Sequence, residues 1–365
     1  MRLGTCIALE LVIAAGAAGG LLIGIGFGTD LAGDYLSSRE AVASNDHATT
    51  PILMELPVST IPEVVAKAPS PARVVDNVYG APDAELLGPL AASPLKRVKA
   101  NQGGSSLSLR LEFVSGARAA FKPEQTWPQS DPRREIAAFR IDRMLGIGHV
   151  PPAKSGKFTV AEMLAAVDPA QRLTIAHRLQ EEGIIRDGTL RGEMSWWIPE
   201  IIDMRMNGKM IDELEEMPVW AGYLQPGATM PAELRPIVAQ IATCVVFDVL
   251  IDNADRWSGW NTKASIDNTI LYFMDNTLSF SNYSQGHNTN LTPLYRMAVF
   301  PRELIAKLRN LTRADVEKAL GSDPNFGALL TPQQIHAIMQ RRDHILRHVD
   351  RMIGLHGEDA VLALP

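Results

Sequence analysis

Cysteine is almost missing from this chain of 365 residues, which has only Cys6 and Cys244. Cys6 lies in an apolar N-terminus and Cys244 in a Cys-Val-Val-Phe run that reads as core. A disulfide between them is not expected, and the fold must hold without staples. Positive charge is not in excess either. A formal net charge of −6 argues against a nucleic-acid partner, whose binders present a basic field. Zinc-type Cys/His spacing is also lacking. His344 and His348 stand four residues apart in RRDHILRHVDRMI without a nearby third ligand, and the pair reads as an exposed helix face. There is no internal repeat. Apolar substance, by contrast, is ample: 46% hydrophobic and 21% charged residues is a globular composition that supports a sizeable core.

A long hydrophobic run opens the chain. After Arg2 comes CIALELVIAAGAAGGLLIGIGFG, apolar except for Glu10 and followed by Asp30 and Asp34. Its length is near the roughly 20 residues that span a bilayer. Residues 1–29 are expected to form a signal peptide or a signal-anchor helix, with a buried soluble helix as the alternative. Arg2 and the terminal amine on one side and acids on the other put the bulk of the chain outside the cytoplasm: secreted, periplasmic or lumenal, with N-terminal membrane contact.

Residues 30–95 are rich in Ala, Pro, Ser and Val and show no sustained period. They read as a linker or stalk with room for one short helix, so the folded domain is expected over 96–356. SLSLRLEFVSGARAAFKP alternates around a Ser-Gly turn, a hairpin signal. Helical periodicity runs from Arg133 to Leu145 and stops at Gly146, then returns at Val160–Ala166, Pro169–Glu182 and Pro231–Leu250. ILYFMD is a short strand-like run. From Arg302 the pattern is helical, over Glu303–Arg309, Arg313–Leu320 and Pro332–Ile353. Strands first and helices later is an α+β order, with a small sheet-containing lobe (96–200) before a mostly helical one (201–356).

Three segments could carry chemistry. Ala119-Ala120-Phe121-Lys122-Pro123 puts a lysine at the end of a hydrophobic strand, which by itself also describes a solvated surface lysine. Arg134-Glu135-Ile136-Ala137-Ala138-Phe139 puts a glutamate in the first turn of an amphipathic helix, where acids simply complement the helix dipole. In the third, a helix ends in Asp252-Asn253-Ala254-Asp255-Arg256, and the strand-like run ends in Asp275-Asn276. That brings two carboxylates near one another. Phosphoryl transfer needs such a pair, one to orient the acceptor hydroxyl and one to hold a divalent ion on the phosphates. A plain polar turn is the alternative, and calcium-loop spacing is not present.

Taken in order, AAFKP, EIAAFRIDRMLGIGHVPP, FDVLIDNADRW and MDNTLSF resemble the Golgi casein kinase, xylosylkinase and four-jointed group of secretory-pathway kinases. The resemblance spans about 103–353 and includes the helical tail. It implies an atypical protein-kinase-like two-lobed fold, ATP as phosphoryl donor, Mg²⁺ or Mn²⁺ as cofactor, and a protein or glycan hydroxyl as acceptor. By the same comparison Asp255 is the catalytic residue, and Asp275 with Asn261 holds the metal. Lys122 and Glu135 belong to the nucleotide site, Lys122 on the phosphates and Glu135 pairing with that lysine or reaching the metal; Gly103 and Gly104 form the phosphate-covering turn, and Ile198 sits in a hinge after Trp196-Trp197. The chain departs from the family at several points. Trp257 follows Asp255-Arg256 where the family has His. Asn261 lies six residues after Asp255 rather than five, as in the wider kinase group, and no disulfides can form. These departures mark a divergent member, bacterial sources included. The alternative function is a catalytically inactive pseudokinase that binds nucleotide or a partner.

Overall fold

The computed structural model describes residues 75–365 except 102–105 and 259. The expected signal or anchor segment 1–29, most of the expected linker, Cys6 and the Gly103-Gly104 turn lie outside the described residues.

Folded structure starts ahead of Lys96, in residues expected to be linker. Val78 donates its backbone N–H to Gly148 O at 3.1 Å, and the Tyr79 hydroxyl donates to His149 O at 2.6 Å. A helix, α1 (Asp83–Ala92), follows and buries Leu90. Gly88 and Pro89 inside it suppress any helical signal in the sequence. Tertiary contacts hold it instead, among them an ion pair from Arg143 Nε to Asp83 at 2.8 Å.

The first lobe is an antiparallel sheet built from β1 (Leu95–Ala100), β2 (Leu109–Phe113), β3 (Arg118–Pro123), β4 (Ala153–Thr159), β5 (Ile185–Arg186) and β6 (Thr189–Trp196). The strand order is β1-β2-β3-β6-β4, with β5 also on β6. The expected hairpin is β2–β3. Its apolar alternation sends Leu109, Leu111, Ala119 and Phe121 into a core shared with Leu190 and Met194 of β6. Gly192 lets β6 lie close on β3, because a Cβ there would meet Lys122 O at 2.5 Å and the Phe121 ring at 2.6 Å. Helix α2 (Pro132–Leu145) matches its expected span. Asp131 caps it, and Gly146 ends it in the left-handed region at φ 62°. Helices α3 (Val160–Ala166) and α4 (Arg172–Glu182) send Met163, Ile175 and Leu179 into the same core as the hairpin.

The second lobe packs around α6 (Arg235–Ile251), which follows α5 (Met217–Tyr223). Eleven of the seventeen residues of α6 are buried, Cys244 among them. A helix so apolar around its circumference must be central. Helices α7 (Asn288–Tyr295), α8 (Arg302–Asn310), α9 (Arg313–Leu320) and α10 (Pro332–His356) contribute to one core with it. The ILYFMD run forms only a two-residue strand, Leu271–Tyr272, which pairs with Lys263–Ala264. The helical tail is less exposed than its pattern implied. His348 is buried, with Nε2 against Met297 O at 3.0 Å and Nδ1 against Arg351 at 2.8 Å, and His344 meets the Tyr295 hydroxyl at 2.5 Å. Among the described residues no helix is long and apolar enough to cross a membrane. The architecture is the expected two-lobed, kinase-like α+β fold.

Candidate active site

The pleat of the first-lobe sheet divides β3 and β6 between two faces. Phe121 and Met194 pair on the core face; one step along, Lys122 pairs with Glu193, and Ala120 with Ser195, on the opposite face. All four of these last residues line one cavity of about 500 Å³. Glu135, Asn261 and Asp275 line it too, as do Trp197 and Ile198 of the expected hinge.

Lys122 reaches into the second lobe, where its ammonium meets Asp275 Oδ1 at 2.6 Å. Glu135, in the first turn of α2, is almost fully buried and does not bond the lysine. Its Oε2 accepts the backbone N–H of Asn276 at 2.5 Å, and Oε1 lies 3.4 Å from Asn276 Nδ2. The glutamate thus ties α2 to the residue beside Asp275. Asp275 itself has φ 61°, a left-handed conformation that a non-glycine residue keeps only when its surroundings impose it. Those surroundings are dense. Thr277 Oγ1 donates to Asp275 Oδ1 at 3.1 Å, and Asn253 Nδ2 donates to Asp275 O at 3.1 Å.

Asn276 and Arg256 form a hub beneath the site, and both are fully buried. Asn276 Oδ1 accepts from Asn253 Nδ2 at 3.1 Å and from Arg256 Nη2 at 2.9 Å. Arg256 also bonds Met274 O and donates to Asn261 O at 3.2 Å, while its Nε lies 3.3 Å from Asp248 of α6. One guanidinium therefore joins the loop after α6, the strand before Asp275 and α6 itself. The fork geometry of arginine is what allows this. Asp252 closes α6 in a left-handed conformation and accepts from His287 N at 2.8 Å and Asn290 Nδ2 at 3.1 Å.

Asp255 stands half-buried on this scaffold. Asn261 Nδ2 donates to Asp255 Oδ2 at 2.7 Å and to Asp255 O at 3.1 Å. Asn261, expected beside Asp275 as a metal ligand, thus has its amide on the other carboxylate while still facing the cavity. Trp257, in the place of the family His, packs against Trp220 at a centroid distance of 5.6 Å.

The electrostatics reflect three carboxylates around one lysine. Burial works against the Lys122 ammonium, but Asp275, Glu135 and Glu193 outweigh it and hold its pKa above the ordinary lysine value. Burial raises the Glu135 carboxyl above its usual range despite Lys122. It raises Glu193 well above, with the neighbouring Glu135 charge adding to the effect. Asp275 goes the other way: burial is overcome by Lys122, Thr277 and Arg256, which favour its charge. Three carboxyl groups thus surround one lysine, and Asp275 is the one whose charged form the surroundings favour. Among the described residues no three His, Cys, Asp or Glu side chains converge closely enough to hold a metal alone. A divalent ion that takes one or two carboxylates and completes its shell on phosphate oxygens fits this donor set.

Around the hinge, the Arg110 guanidinium lies over the Trp197 ring at 5.3 Å, and Trp197 N donates to Arg118 O at 3.2 Å. Tyr79 packs edge-on to Trp196 at 5.7 Å and stacks on Tyr272 at 5.6 Å, so it bridges the two lobes. Sequence reasoning passed over Glu193, Tyr79, Asp248 and Asp142. Asp142 accepts the backbone N–H groups of Gly148, His149 and Val150 at 3.0, 3.1 and 3.1 Å, and so fixes the loop below the hinge. For Glu193 a signal existed: Leu190, Met194 and Trp196 alternate with Arg191, Glu193 and Ser195, as a half-buried strand should.

The C-terminal Golgi casein kinase domain of the Fam20 family matches residues 230–361, which contain Asp255 and Asp275. Human glycosaminoglycan xylosylkinase is 24% identical over 90% of this chain and 91% of its own length. Mouse pseudokinase FAM20A is 25% identical over 78% of this chain and 60% of its own. The solved Golgi casein kinase with Mn/ADP bound superposes with a TM-score of 0.61 at 17% identity, covering 77% of this chain and 78% of that one. In the order of its site segments, the domain match and the shared fold, this chain is similar to the Fam20 group of secretory-pathway kinases.

Proposed function

We propose that the chain is an ATP-dependent phosphotransferase that uses Mg²⁺ or Mn²⁺ to phosphorylate a hydroxyl of an extracytoplasmic protein or glycan. The observation that carries this reading is the joint lining of one cavity by Lys122, Glu135 and Asp275, beside an aspartate, Asp255, held by Asn261. A relative solved with Mn/ADP supports the choice of nucleotide and ion.

In this reading Asp255 orients the acceptor hydroxyl and takes its proton as that oxygen bonds the γ-phosphorus and the bond from phosphorus to the leaving ADP oxygen breaks. Lys122 neutralises charge on the transferring phosphoryl group, and Glu135 fixes the position of the Asp275 segment. Asp275, with Glu135 or Asn261, would hold a divalent ion, which would supply positive charge to the phosphates. Ile198 and Trp197 form an apolar wall suited to a purine. Catalysis in this class is mostly positioning and electrostatic stabilisation, which a rigid hub such as Arg256–Asn276 provides. The N-terminal segment 1–29 delivers the chain to an extracytoplasmic compartment as a signal or anchor.

A pseudokinase is the second reading, favoured by Trp257 in the place of the family His and by the similarity to a pseudokinase. Retention of Lys122, Glu135, Asp255 and Asp275 weighs against it. ATP consumption with Mn²⁺, measured in wild type and Asp275→Ala, separates the two. The enzyme reading requires turnover that the substitution removes, and equal background in both proteins rejects it.

A further inference from the structure

We propose that Glu193 is a positioning residue for Lys122, receiving its ammonium when Asp275 turns to a divalent cation. The proposal rests on the kinase reading above. Glu193 belongs to none of the motifs that carry the family resemblance, yet it is the direct cross-strand partner of Lys122. Side chains so placed have Cβ atoms about 4.5–5.5 Å apart. Both line the cavity, as do Ala120 and Ser195, the pair next to them on the same face.

Glu193 is 1% exposed, and among the described residues its carboxylate accepts one hydrogen bond, from Ser195 Oγ at 3.1 Å. An ionised carboxylate has about four acceptor positions, and burying one so sparsely bonded costs free energy unless a cation faces it. Glu135 cannot serve Lys122 as readily, because both its oxygens face Asn276. Lys122 is bonded instead to Asp275, the more exposed carboxylate, with a side chain 42% accessible. A cation arriving at Asp275 competes with that ammonium. Once displaced, the ammonium has Glu193 straight across the sheet, and the exchange keeps Lys122 charged and inside the cavity. Without Glu193, Lys122 has no equivalent place to go, and the cation must compete for Asp275 against a lysine that stays.

The test uses the full chain, with Mn²⁺ binding followed by electron paramagnetic resonance in the presence of ADP, and melting temperature as the check on folding. Glu193→Gln keeps the shape and the acceptor for Ser195. It is expected to raise the Mn²⁺ midpoint about tenfold or more, the scale seen when a residue supporting a metal ligand is removed. In a Lys122→Met background the same change is expected to shift the midpoint by less than about twofold, because the effect runs through the lysine. A comparable shift in both backgrounds means direct attraction to the ion and overturns the proposal, as does an unchanged midpoint in folded Glu193→Gln. Should Glu193→Gln not fold, Glu193→Asp decides: its shorter reach is expected to raise the midpoint, and a wild-type value overturns the proposal. Wild type that binds neither ADP nor Mn²⁺ overturns the kinase reading and the proposal together. Wild type that binds, with unaltered variants, overturns the proposal alone.

Discussion

Asn261 donates its side-chain amide to Asp255 Oδ2 at 2.7 Å and to the Asp255 carbonyl at 3.1 Å, closing the loop that follows α6 upon itself. An amide that bonds both ends of one residue fixes the carboxylate's rotamer, and orientation is what an acceptor-positioning aspartate must have. Asn261→Ala is expected to lower turnover on the order of 10²-fold, as small misplacements do, with little change in nucleotide affinity. Steady-state kinetics beside ADP titration checks this. A loss of ADP affinity with normal turnover would assign Asn261 to the metal instead.

Arg256 is fully buried and joins Asp248, Asn261, Met274 and Asn276. Removing one side of a buried ion pair leaves the other charge uncompensated, so Arg256→Met is expected to destabilise the fold by about 3–5 kcal/mol. Denaturant unfolding measures this. A variant as stable as wild type would show that the hub is not structural.

Lys122 faces three carboxylates, two of which, Glu135 and Glu193, are held above their ordinary range. Lys122→Met removes the lysine charge that both carboxyl groups face. Nucleotide-induced stabilisation is about 2.7 kcal/mol for a ligand at a hundred times its Kd, and it is expected to be about halved in the variant, as a tenfold weaker Kd requires. An undiminished thermal shift would remove Lys122 from the nucleotide site.

The Asp142 carboxyl is pushed up to about 6 by burial, against Arg143 and backbone N–H groups that favour its charge. The unfolded value is about 3.9, so between the two values the native state binds the proton more tightly than the unfolded chain. The contribution to stability is therefore complete below about pH 4 and declines as the pH rises to 6, by about 3 kcal/mol in all. Asp142→Asn cannot titrate there. The stability of wild type relative to Asp142→Asn is expected to fall across that window and to level off above it; a constant difference would contradict the shift.

Much of the fold was legible because its periodicities are local. The alternation of Leu109, Leu111, Ala119 and Phe121 marks the β2–β3 hairpin, and the spacing from Ile136 to Leu145 marks α2. Lys122, Glu135, Asp255 and Asp275 were legible only together, since each alone also describes a surface residue. The rest depends on partners distant in sequence. Glu193 acquires meaning from its register against Lys122, and Arg256 from the 18 residues that separate it from Met274. Nor could the sequence show that residues 76–92 are structured: α1 contains Gly88 and Pro89, and it is held by Leu90 and by Arg143.

The central claim is that Asp255 and Asp275 divide the labour of one phosphotransfer centre, the first acting on the acceptor and the second on the cation. Calorimetric titration of Mn²⁺·ADP into wild type, Asp255→Asn and Asp275→Asn, with turnover measured on the same samples, tests it most directly. The account predicts that Asp255→Asn binds Mn²⁺·ADP as wild type does but turns over about 10²–10⁴-fold more slowly, the range for loss of a general base. It predicts that Asp275→Asn loses the Mn²⁺-dependent part of binding. Wild-type turnover in Asp255→Asn, or unchanged Mn²⁺·ADP binding in Asp275→Asn, would contradict it.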